Sequence, residues 1–400
     1  MKKWIAVLSI LALLSGCAAA VAEEETFESL CTLAEPYGFK LGAPLSYGQL
    51  TDKNYLKLVQ THFNSITTTN EMKAYSLLDE RATKARTDGM PAMNYSAADK
   101  MVQWAQDNGI GVRGHVLVWD AYMTEWFFHE EYNMKKPFAD QETIKARTEY
   151  YINEVVKHFE EKFPGVVYCW DVVNEAVADG ANEYAAGDPR HLRTMRSGSV
   201  NLFREYMGDD YVSWAFLYAK NAVEALGADI KLYYNDYNAY FSDKANAIRC
   251  LIEEVNSFAQ DENGNPRKLC DGIGMQGYIG GYGVQEGCLV DSHLGMIENE
   301  ILNYAAMGLE VQITEMAVRN FDLSQADKHA EFYANLFKVF MGLNGENGNP
   351  LKAVSIWGLT DTNAPKGNYV YNLNSPYGGL FDLKLNYKDA FSKVYEALKQ

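Results

Sequence analysis

The sequence predicts a single α/β domain of the (β/α)8 TIM-barrel class. Short apolar runs alternate with longer segments of helical character throughout residues 28–400. Such alternation is typical of a parallel sheet whose strands are joined by helices. The runs number eight, which is the number that closes a β/α barrel. No Pro-, Ser- or Gly-rich linker divides the chain, so we expect one domain. An open doubly wound sheet is the alternative, and eight repeats fit it less well.

Each predicted strand is a short run of apolar and β-branched residues. The eight runs are 39–43, 65–68, 112–118, 166–173, 230–234, 272–276, 309–314 and 353–357. The clearest helical segments between them are 149–163, 211–226, 244–258, 298–307 and 325–341. Gly165, Gly227, Gly308 and Gly342 follow four of these segments, as helix-terminating glycines do.

The N-terminus reads as a targeting segment. Lys2 and Lys3 precede an apolar stretch, 4–14, that is too short to span a membrane, an order typical of a secretory signal. Residues 14–17, Leu-Ser-Gly-Cys, resemble a bacterial lipobox, in which Cys17 becomes the lipid-modified N-terminus. We predict a lipoprotein-type signal peptide at 1–17, a tether at 18–27 and the barrel at 28–400, with the protein exported and lipid-anchored at the cell surface. An ordinary signal peptide with an incidental cysteine is the alternative.

Charge and cysteine content limit the possible partners. The formal net charge is −17 and the pI is about 4.9, which argues against nucleic acid as a ligand. The cysteines after Cys17 are Cys31, Cys169, Cys250, Cys270 and Cys288. Their number is odd, so at least one is unpaired within the chain, and their spacing does not resemble a zinc site. We expect a monomer with no metal and no other cofactor.

Polar and aromatic residues collect where the predicted strands end. In a β/α barrel these ends share one face, and active sites lie there. Glu175 follows the fourth run, in the stretch WDVVNEA (170–176), and Glu315 follows the seventh. For 170–176 alone, a strand that runs into a polar turn is the plain alternative. Two carboxylates on one face suit glycoside hydrolysis, in which one protonates the leaving oxygen and the other attacks the anomeric carbon or activates water.

From residue 28 to the C-terminus the chain resembles glycoside hydrolase family 10, the endo-β-1,4-xylanases. The resemblance rests on ordered motifs at the strand ends. They are Asn70 with Met72-Lys73, RGHVLVW (113–119), WDVVNEA (170–176), YYNDYN (233–238), IGMQ (273–276), ITE (313–315) and WGLTD (357–361). The resemblance implies a barrel that cleaves β-1,4-xylosidic bonds with retention, acting on xylan or xylo-oligosaccharides.

The same resemblance implies roles for individual residues. Glu175 would be the acid/base, Glu315 the nucleophile, and Asn174 a ligand of the sugar 2-hydroxyl. The sugar sites on the non-reducing side would be lined by Asn70, Lys73, His115, Trp119 and Gln276, with Trp357 as a stacking plate.

Several positions depart from the family pattern. Tyr278 stands where the family has the His of a relay that orients the nucleophile, and Ala317 stands where it has the Asp. We predict replacement, with the Tyr278 hydroxyl donating directly to Glu315; decay of the site is the alternative. Further out, the departures are Thr69 for Glu, Asp120 for His, Tyr122 for Gln, a missing second Trp at 362–365 and a longer insert at 366–377.

These departures leave more than one function open. The outer changes predict altered tolerance for xylan chain length or side groups. The missing relay keeps open a surface lipoprotein that binds xylan fragments without cutting them, and a relative acting on another β-linked glycan is a further alternative.

Overall fold

The computed structural model describes residues 27–279, 289–344, 348–362 and 375–400. The predicted signal peptide, most of the tether, Cys288 and most of the insert at 366–377 lie outside these ranges. In the described part, no helix is long and apolar enough to cross a bilayer. The four cysteines that it includes, Cys31, Cys169, Cys250 and Cys270, are all free thiols.

Eight parallel strands close into a barrel, as the sequence predicts. They are β1 (Lys40–Leu45), β2 (Ser65–Thr68), β3 (Gly111–Val118), β4 (Val167–Asn174), β5 (Lys231–Asp236), β6 (Gly272–Met275), β7 (Glu310–Val318) and β8 (Leu351–Ile356). Each strand pairs with the next in sequence, and β8 pairs with β1 through the register Lys40↔Ala353. Each predicted run overlaps one of these strands, and the open-sheet alternative is therefore wrong.

Twelve α-helices accompany the barrel in the described ranges. They are α1 (Leu30–Ala34), α2 (Lys53–His62), α3 (Ala74–Leu77), α4 (Glu80–Lys84), α5 (Ser96–Asp107), α6 (Gln141–Lys162), α7 (Leu202–Met207), α8 (Tyr211–Leu226), α9 (Ser242–Ser257), α10 (Ser292–Ala306), α11 (Ala326–Leu343) and α12 (Asp389–Leu398). The bounds of α8 match the prediction, and Gly227 ends it in the left-handed conformation. Gly342 lies inside α11, so its prediction as a terminator is wrong.

Helix α6 begins eight residues earlier than the apolar pattern indicates. Its first turns, 141–148, are mostly polar, so hydrophobic periodicity gives no signal there. The start is fixed instead by Asp140, whose side chain accepts a hydrogen bond from the backbone N–H of Thr143. Such a cap satisfies one of the amide groups that a helix N-terminus leaves without a partner.

A buried ion network explains the unusual aspartate in β4. Asp171 is fully buried and accepts two hydrogen bonds from the Arg113 guanidinium, at 2.6 and 3.2 Å, and one contact from His115 Nδ1 at 2.9 Å. Burial alone would raise the pKa of Asp171, but Arg113 and His115 hold it below its ordinary value. The pairing keeps a charge in the barrel interior and fixes the ring of His115 within β3.

Candidate active site

Glu175 leaves the fourth strand through a change of backbone conformation. Strand β4 ends at Asn174, and Glu175 takes a positive φ of 56°, which is uncommon for a residue with a side chain. Its backbone N–H still donates to the Asn235 carbonyl at 2.9 Å, so the residue stays tied to the end of β5. The side chain is buried in the barrel mouth, with the residue only 8% exposed.

Glu315 lies within β7 and is equally buried, at 8% exposed. Its Oε2 accepts a hydrogen bond from the Tyr278 hydroxyl at 2.6 Å, and its Oε1 accepts one from Asn235 Nδ2 at 3.1 Å. Burial raises the pKa of Glu315, and the negative charge of Glu175 adds to that. The electrostatic effect of the nearby His115 ring and the Tyr278 hydrogen bond lower it. Two hydrogen-bond donors thus hold the Glu315 carboxylate, although its burial favours the neutral form.

A bridge of three amides joins the two carboxylates. Gln276 Nε2 donates to Glu175 Oε1 at 2.9 Å and to Asn174 Oδ1 at 3.2 Å. Asn235 Nδ2 donates to the same Asn174 oxygen at 2.9 Å and also to Glu315 Oε1. The three amides come from the C-terminal ends of β4, β5 and β6. The barrel itself therefore sets the relative position of Glu175 and Glu315.

The sequence motif places Asn235 at a strand end but predicts no catalytic or binding role for it. The structure puts it between the two carboxylates and buries it completely. Thr314 Oγ1 donates to its Oδ1 at 2.6 Å, which fixes the amide so that Nδ2 faces Asn174 and Glu315. The available signal was its place in the YYNDYN stretch, directly after the fifth apolar run.

The structure brings Tyr278 to Glu315, as predicted. Tyr278 begins a two-residue strand, Tyr278–Ile279, that pairs in parallel with the last residues of β7. In this register Tyr278 lies opposite Ala317. The two departures from the family relay are therefore neighbours, with a small side chain beside the larger ring. The direct tyrosine–carboxylate hydrogen bond is the arrangement that the replacement hypothesis requires.

A second cluster lies toward the ends of β2 and β3. Lys73 Nζ donates to Asn70 Oδ1 at 3.1 Å and lies over the rings of Trp119 and Tyr122, at 5.0 and 4.3 Å from their centroids. Burial lowers the pKa of Lys73, while Glu315, Glu175 and Glu71 act in the opposite direction. Asn70 is exposed at the outer edge of this cluster, so the cluster runs from the carboxylates to solvent.

The remaining predicted site residues are His115 and two tryptophans, Trp119 and Trp357. The His115 ring meets that of Trp119 edge to face, with centroids 5.8 Å apart, so it connects the second cluster to the buried Asp171. Trp119 Nε1 is buried and has no hydrogen-bond partner among the described residues. Trp357 is half-buried just after β8, and its backbone N–H donates to the Met316 carbonyl beside Glu315. All of the predicted site residues that the structure describes therefore belong to the barrel mouth, and Cys17 lies outside the described residues.

Two arginines near Glu175 were not predicted. Arg193 donates from Nε to the Glu175 carbonyl at 3.1 Å. Arg196 donates from Nη1 to Glu175 Oε2 at 2.8 Å and pairs with Asp120. Both lie between β4 and α7, in a stretch without regular hydrophobic periodicity, so the sequence pattern carried no signal for them.

The described residues contain no group of three or more His, Cys, Asp or Glu side chains that could hold a metal ion. The site presents carboxylates, amides, a tyrosine and aromatic rings. Two buried carboxylates joined by hydrogen-bond donors can take part in proton transfer and in nucleophilic attack.

A family model described as Glycosyl hydrolase family 10 matches residues 29–397. The chain belongs to this family. The match covers the entire described barrel and confirms the resemblance that the strand-end motifs indicate.

Curated proteins of similar sequence are named as xylanases. A putative endo-1,4-beta-xylanase of Caldicellulosiruptor saccharolyticus is 34% identical over 302 residues, which are 72% of this chain and 86% of the relative. Endo-1,4-beta-xylanase B of Butyrivibrio fibrisolvens is 31% identical over 375 residues, which are 92% of this chain and 53% of the relative. The chain thus spans about half the length of the second protein.

Solved structures agree on the family 10 barrel. The CBM22-1–GH10 modules of Clostridium thermocellum endo-1,4-beta-D-xylanase 10B, complexed with xylohexaose, superpose with a TM-score of 0.75 at 27% identity, covering 92% of this chain and 67% of that one. An endo-1,4-beta-xylanase from Caldicellulosiruptor owensensis gives a TM-score of 0.71 at 28% identity, covering 92% and 99%.

Proposed function

We propose that the protein is an endo-acting, retaining glycoside hydrolase that cleaves β-1,4-xylosidic bonds of xylan. The observation that carries the proposal is the amide bridge, which holds Glu175 and Glu315 on one face of the barrel. Retaining enzymes need such a pair close together, typically about 5–5.5 Å apart. The xylanase names of the curated relatives and of the solved structures support xylan as the substrate.

The proposed reaction is a double displacement. Glu315 attacks the anomeric carbon while Glu175 gives its proton to the leaving glycosidic oxygen, which forms a covalent glycosyl-enzyme bond and breaks the glycosidic bond. Glu175, now ionised, then takes a proton from water, and the water oxygen replaces Glu315 at the anomeric carbon. Two inversions give net retention, and Glu175 regains its proton for the next cycle.

Unpaired donors support a polar ligand in this mouth. Asn174 Nδ2 and Trp119 Nε1 are both buried, and neither has a hydrogen-bond partner among the described residues. Leaving a buried donor without a partner costs about 1–3 kcal/mol, so a ligand that accepts from it is favoured. The sugar 2-hydroxyl suits Asn174 Nδ2, because Asn174 lies between the carboxylates, and a hydroxyl of the next sugar outward suits Trp119.

The test is the product pattern from linear xylo-oligosaccharides and from substituted xylans. We expect internal cleavage, with the β-anomer of the new reducing end appearing first by NMR. We also expect a limit product of a size different from that of an ordinary family member, because Asp120 and Tyr122 alter the outer sugar site. Cello-oligosaccharides serve as the comparison for other β-linked glycans. Oligosaccharides that bind but are never shortened would contradict the proposal and favour a non-cleaving binding protein.

We also propose export and lipid anchoring through Cys17. The support is the sequence order of Lys2 and Lys3, the apolar stretch 4–14 and the Leu-Ser-Gly-Cys stretch. A lipid-anchored enzyme at the cell surface would meet polymeric xylan outside the cell and keep the fragments close to it.

Labelling with radioactive palmitate in a bacterial host tests the anchor. We expect the full chain to incorporate label and to sediment with membranes. Cys17→Ala is expected to lose both properties while keeping xylanase activity, because Cys17 precedes the predicted tether and barrel and none of the proposed catalytic residues lies near it in sequence. Cys31→Ala is the matched control and should still be labelled. Label retained in Cys17→Ala would contradict the proposed site.

A further inference from the structure

Arg196 makes an unusual contact with the proposed acid/base. It lies in a short hairpin in which Met195–Arg196 pairs with Ser199–Val200, between β4 and α7. From there Nη1 reaches Glu175 Oε2 at 2.8 Å, and Nη2 reaches the Glu175 carbonyl at 3.2 Å. The arginine therefore touches both the side chain and the backbone of the residue that must exchange a proton during the reaction.

Asp120 fixes the direction of the guanidinium. Arg196 Nε donates to Asp120 Oδ2 at 3.1 Å, and Nη2 donates to Oδ1 at 2.9 Å, which is a two-point contact. Such fork-to-fork geometry restrains the plane of the guanidinium as well as its position. Although burial works against the charge, Asp120 and Glu175 hold the pKa of Arg196 above its ordinary value. Arg196 is thus a permanent cation at this site.

The Glu175 carboxylate is held from both sides. Gln276 donates to Oε1 and Arg196 donates to Oε2. The two donors come from separate parts of the chain, the end of β6 and the hairpin, so neither can turn the carboxylate alone. The two contacts together set the orientation of the Glu175 carboxylate. Of these two donors, only Arg196 carries a positive charge.

Other charged and titratable groups also face Glu175, and the effect of Arg196 adds to theirs. They are Lys73 after β2, Asp120 after β3, Arg193 before the hairpin, Asp236 and Tyr237 at the end of β5, Tyr278 after β6 and Glu315 in β7. The acidic members favour the protonated form of Glu175, and the basic ones favour the ionised form.

We propose that Arg196, anchored by Asp120, is the positioning residue of Glu175 and sets the pH at which Glu175 loses its proton. The proposal rests on the proposed function for its catalytic meaning, because Glu175 must be protonated in the first step and ionised in the second. A cation bonded to a carboxylate favours the ionised form, typically by one to three pH units at close range. Arg196 thereby opposes the acidic neighbours through its direct contact with Glu175 Oε2.

The direction in which each substitution shifts the pH profile follows from the charge that it removes. Arg196→Gln removes the cation and leaves Asp120 without its partner, and both changes favour protonated Glu175. The alkaline side of the activity profile, where the acid is lost, should therefore move to higher pH. Asp120→Asn leaves the cation without compensation and favours ionised Glu175, so the same limb should move to lower pH. A general disturbance of the site would not give opposite shifts.

The test combines carboxyl titration with kinetics. Protein labelled with ¹³C at the glutamate carboxyls is titrated by NMR, and the Glu175 resonance is assigned by its absence in Glu175→Gln. We expect the midpoint of Glu175 to rise by about one to two pH units in Arg196→Gln and to fall by about half a unit in Asp120→Asn. Arg196→Lys keeps the charge and should titrate close to the wild type. The alkaline limb of kcat/KM on xylo-oligosaccharides should move with the midpoint.

A matched control is available in the same segment. Arg204 is as exposed as Arg196, at 22% for each side chain, and pairs with Asp209 at 2.9 Å. Arg204→Gln should change neither the titration of Glu175 nor the pH profile. An unchanged midpoint in Arg196→Gln, with thermal melts showing a folded protein, would overturn the proposal. If the wild type cleaves no xylan, the proposed function fails, yet the titration still decides whether Arg196 governs Glu175.

Discussion

Glu315→Ala is expected to lower kcat for xylo-oligosaccharide cleavage by a factor on the order of 10⁵, the scale seen when a covalent nucleophile is removed. The side chain that attacks the anomeric carbon is lost, and no other described carboxylate shares its position opposite Glu175 across the amide bridge. Alanine fills less space than glutamate and leaves Asn235 and Tyr278 without their shared acceptor, so a thermal melt must confirm folding. Turnover is measured by reducing-sugar release.

Azide separates the roles of the two carboxylates. In Glu175→Ala the covalent intermediate still forms from a substrate with a good leaving group, and azide should attack it to give the β-azide. In Glu315→Ala azide can replace the missing nucleophile and should give the α-azide. Loss of acid/base assistance typically costs 10²- to 10⁴-fold, and it should be small for such activated substrates. A β-azide from Glu315→Ala would show that the roles assigned to the two glutamates are wrong.

The sequence was sufficient for the barrel because its strands are buried on both faces. Buried parallel strands are short apolar runs, and that pattern survives in a single sequence. The start of α6 was missed for the opposite reason, since Asp140 fixes it through one hydrogen bond and the first turns are polar. Periodicity reports which face is buried and does not report where a cap lies.

The site was predictable where it is built on strand ends. Asn174 ends β4, Glu175 and Gln276 directly follow β4 and β6, and Glu315 lies in the last half of β7. Their common face therefore follows from the topology. Arg196 could not be found in this way. It meets Asp120 from 76 positions away along the chain, through a hairpin whose path depends on the folded barrel. The contact between Arg196 and Glu175 therefore follows from the folded path of the hairpin and not from a sequence pattern.

Tyr278 and Ala317 show how two departures from a motif can form one change. They are register partners beside the nucleophile, so a bulky ring at one position is accompanied by a small side chain at the other. The family relay orients the nucleophile through two residues, whereas here one hydroxyl reaches Glu315 directly. We therefore expect the activity of the altered site to depend on the Tyr278 hydroxyl.

Tyr278→Phe is expected to lower kcat about ten- to hundred-fold, because it removes a hydrogen bond to a charged group worth about 1.5–3 kcal/mol. The hydroxyl also lowers the pKa of Glu315, so its loss should raise that pKa further above the ordinary value. The nucleophile must be ionised to attack. The acid limb of the kcat/KM profile should therefore move to higher pH, and the variant should lose most activity on the acid side.

Tyr304→Phe is the matched control, because Tyr304 is buried and its hydroxyl donates to the Ala239 carbonyl at 2.9 Å, outside the carboxylate network. It should keep both turnover and pH profile close to those of the wild type. The phenylalanine ring preserves the packing of Tyr278, so both variants should melt as folded proteins. Wild-type turnover in Tyr278→Phe would mean that Asn235 alone suffices to hold Glu315, and that the tyrosine fills the place of the lost relay without its function.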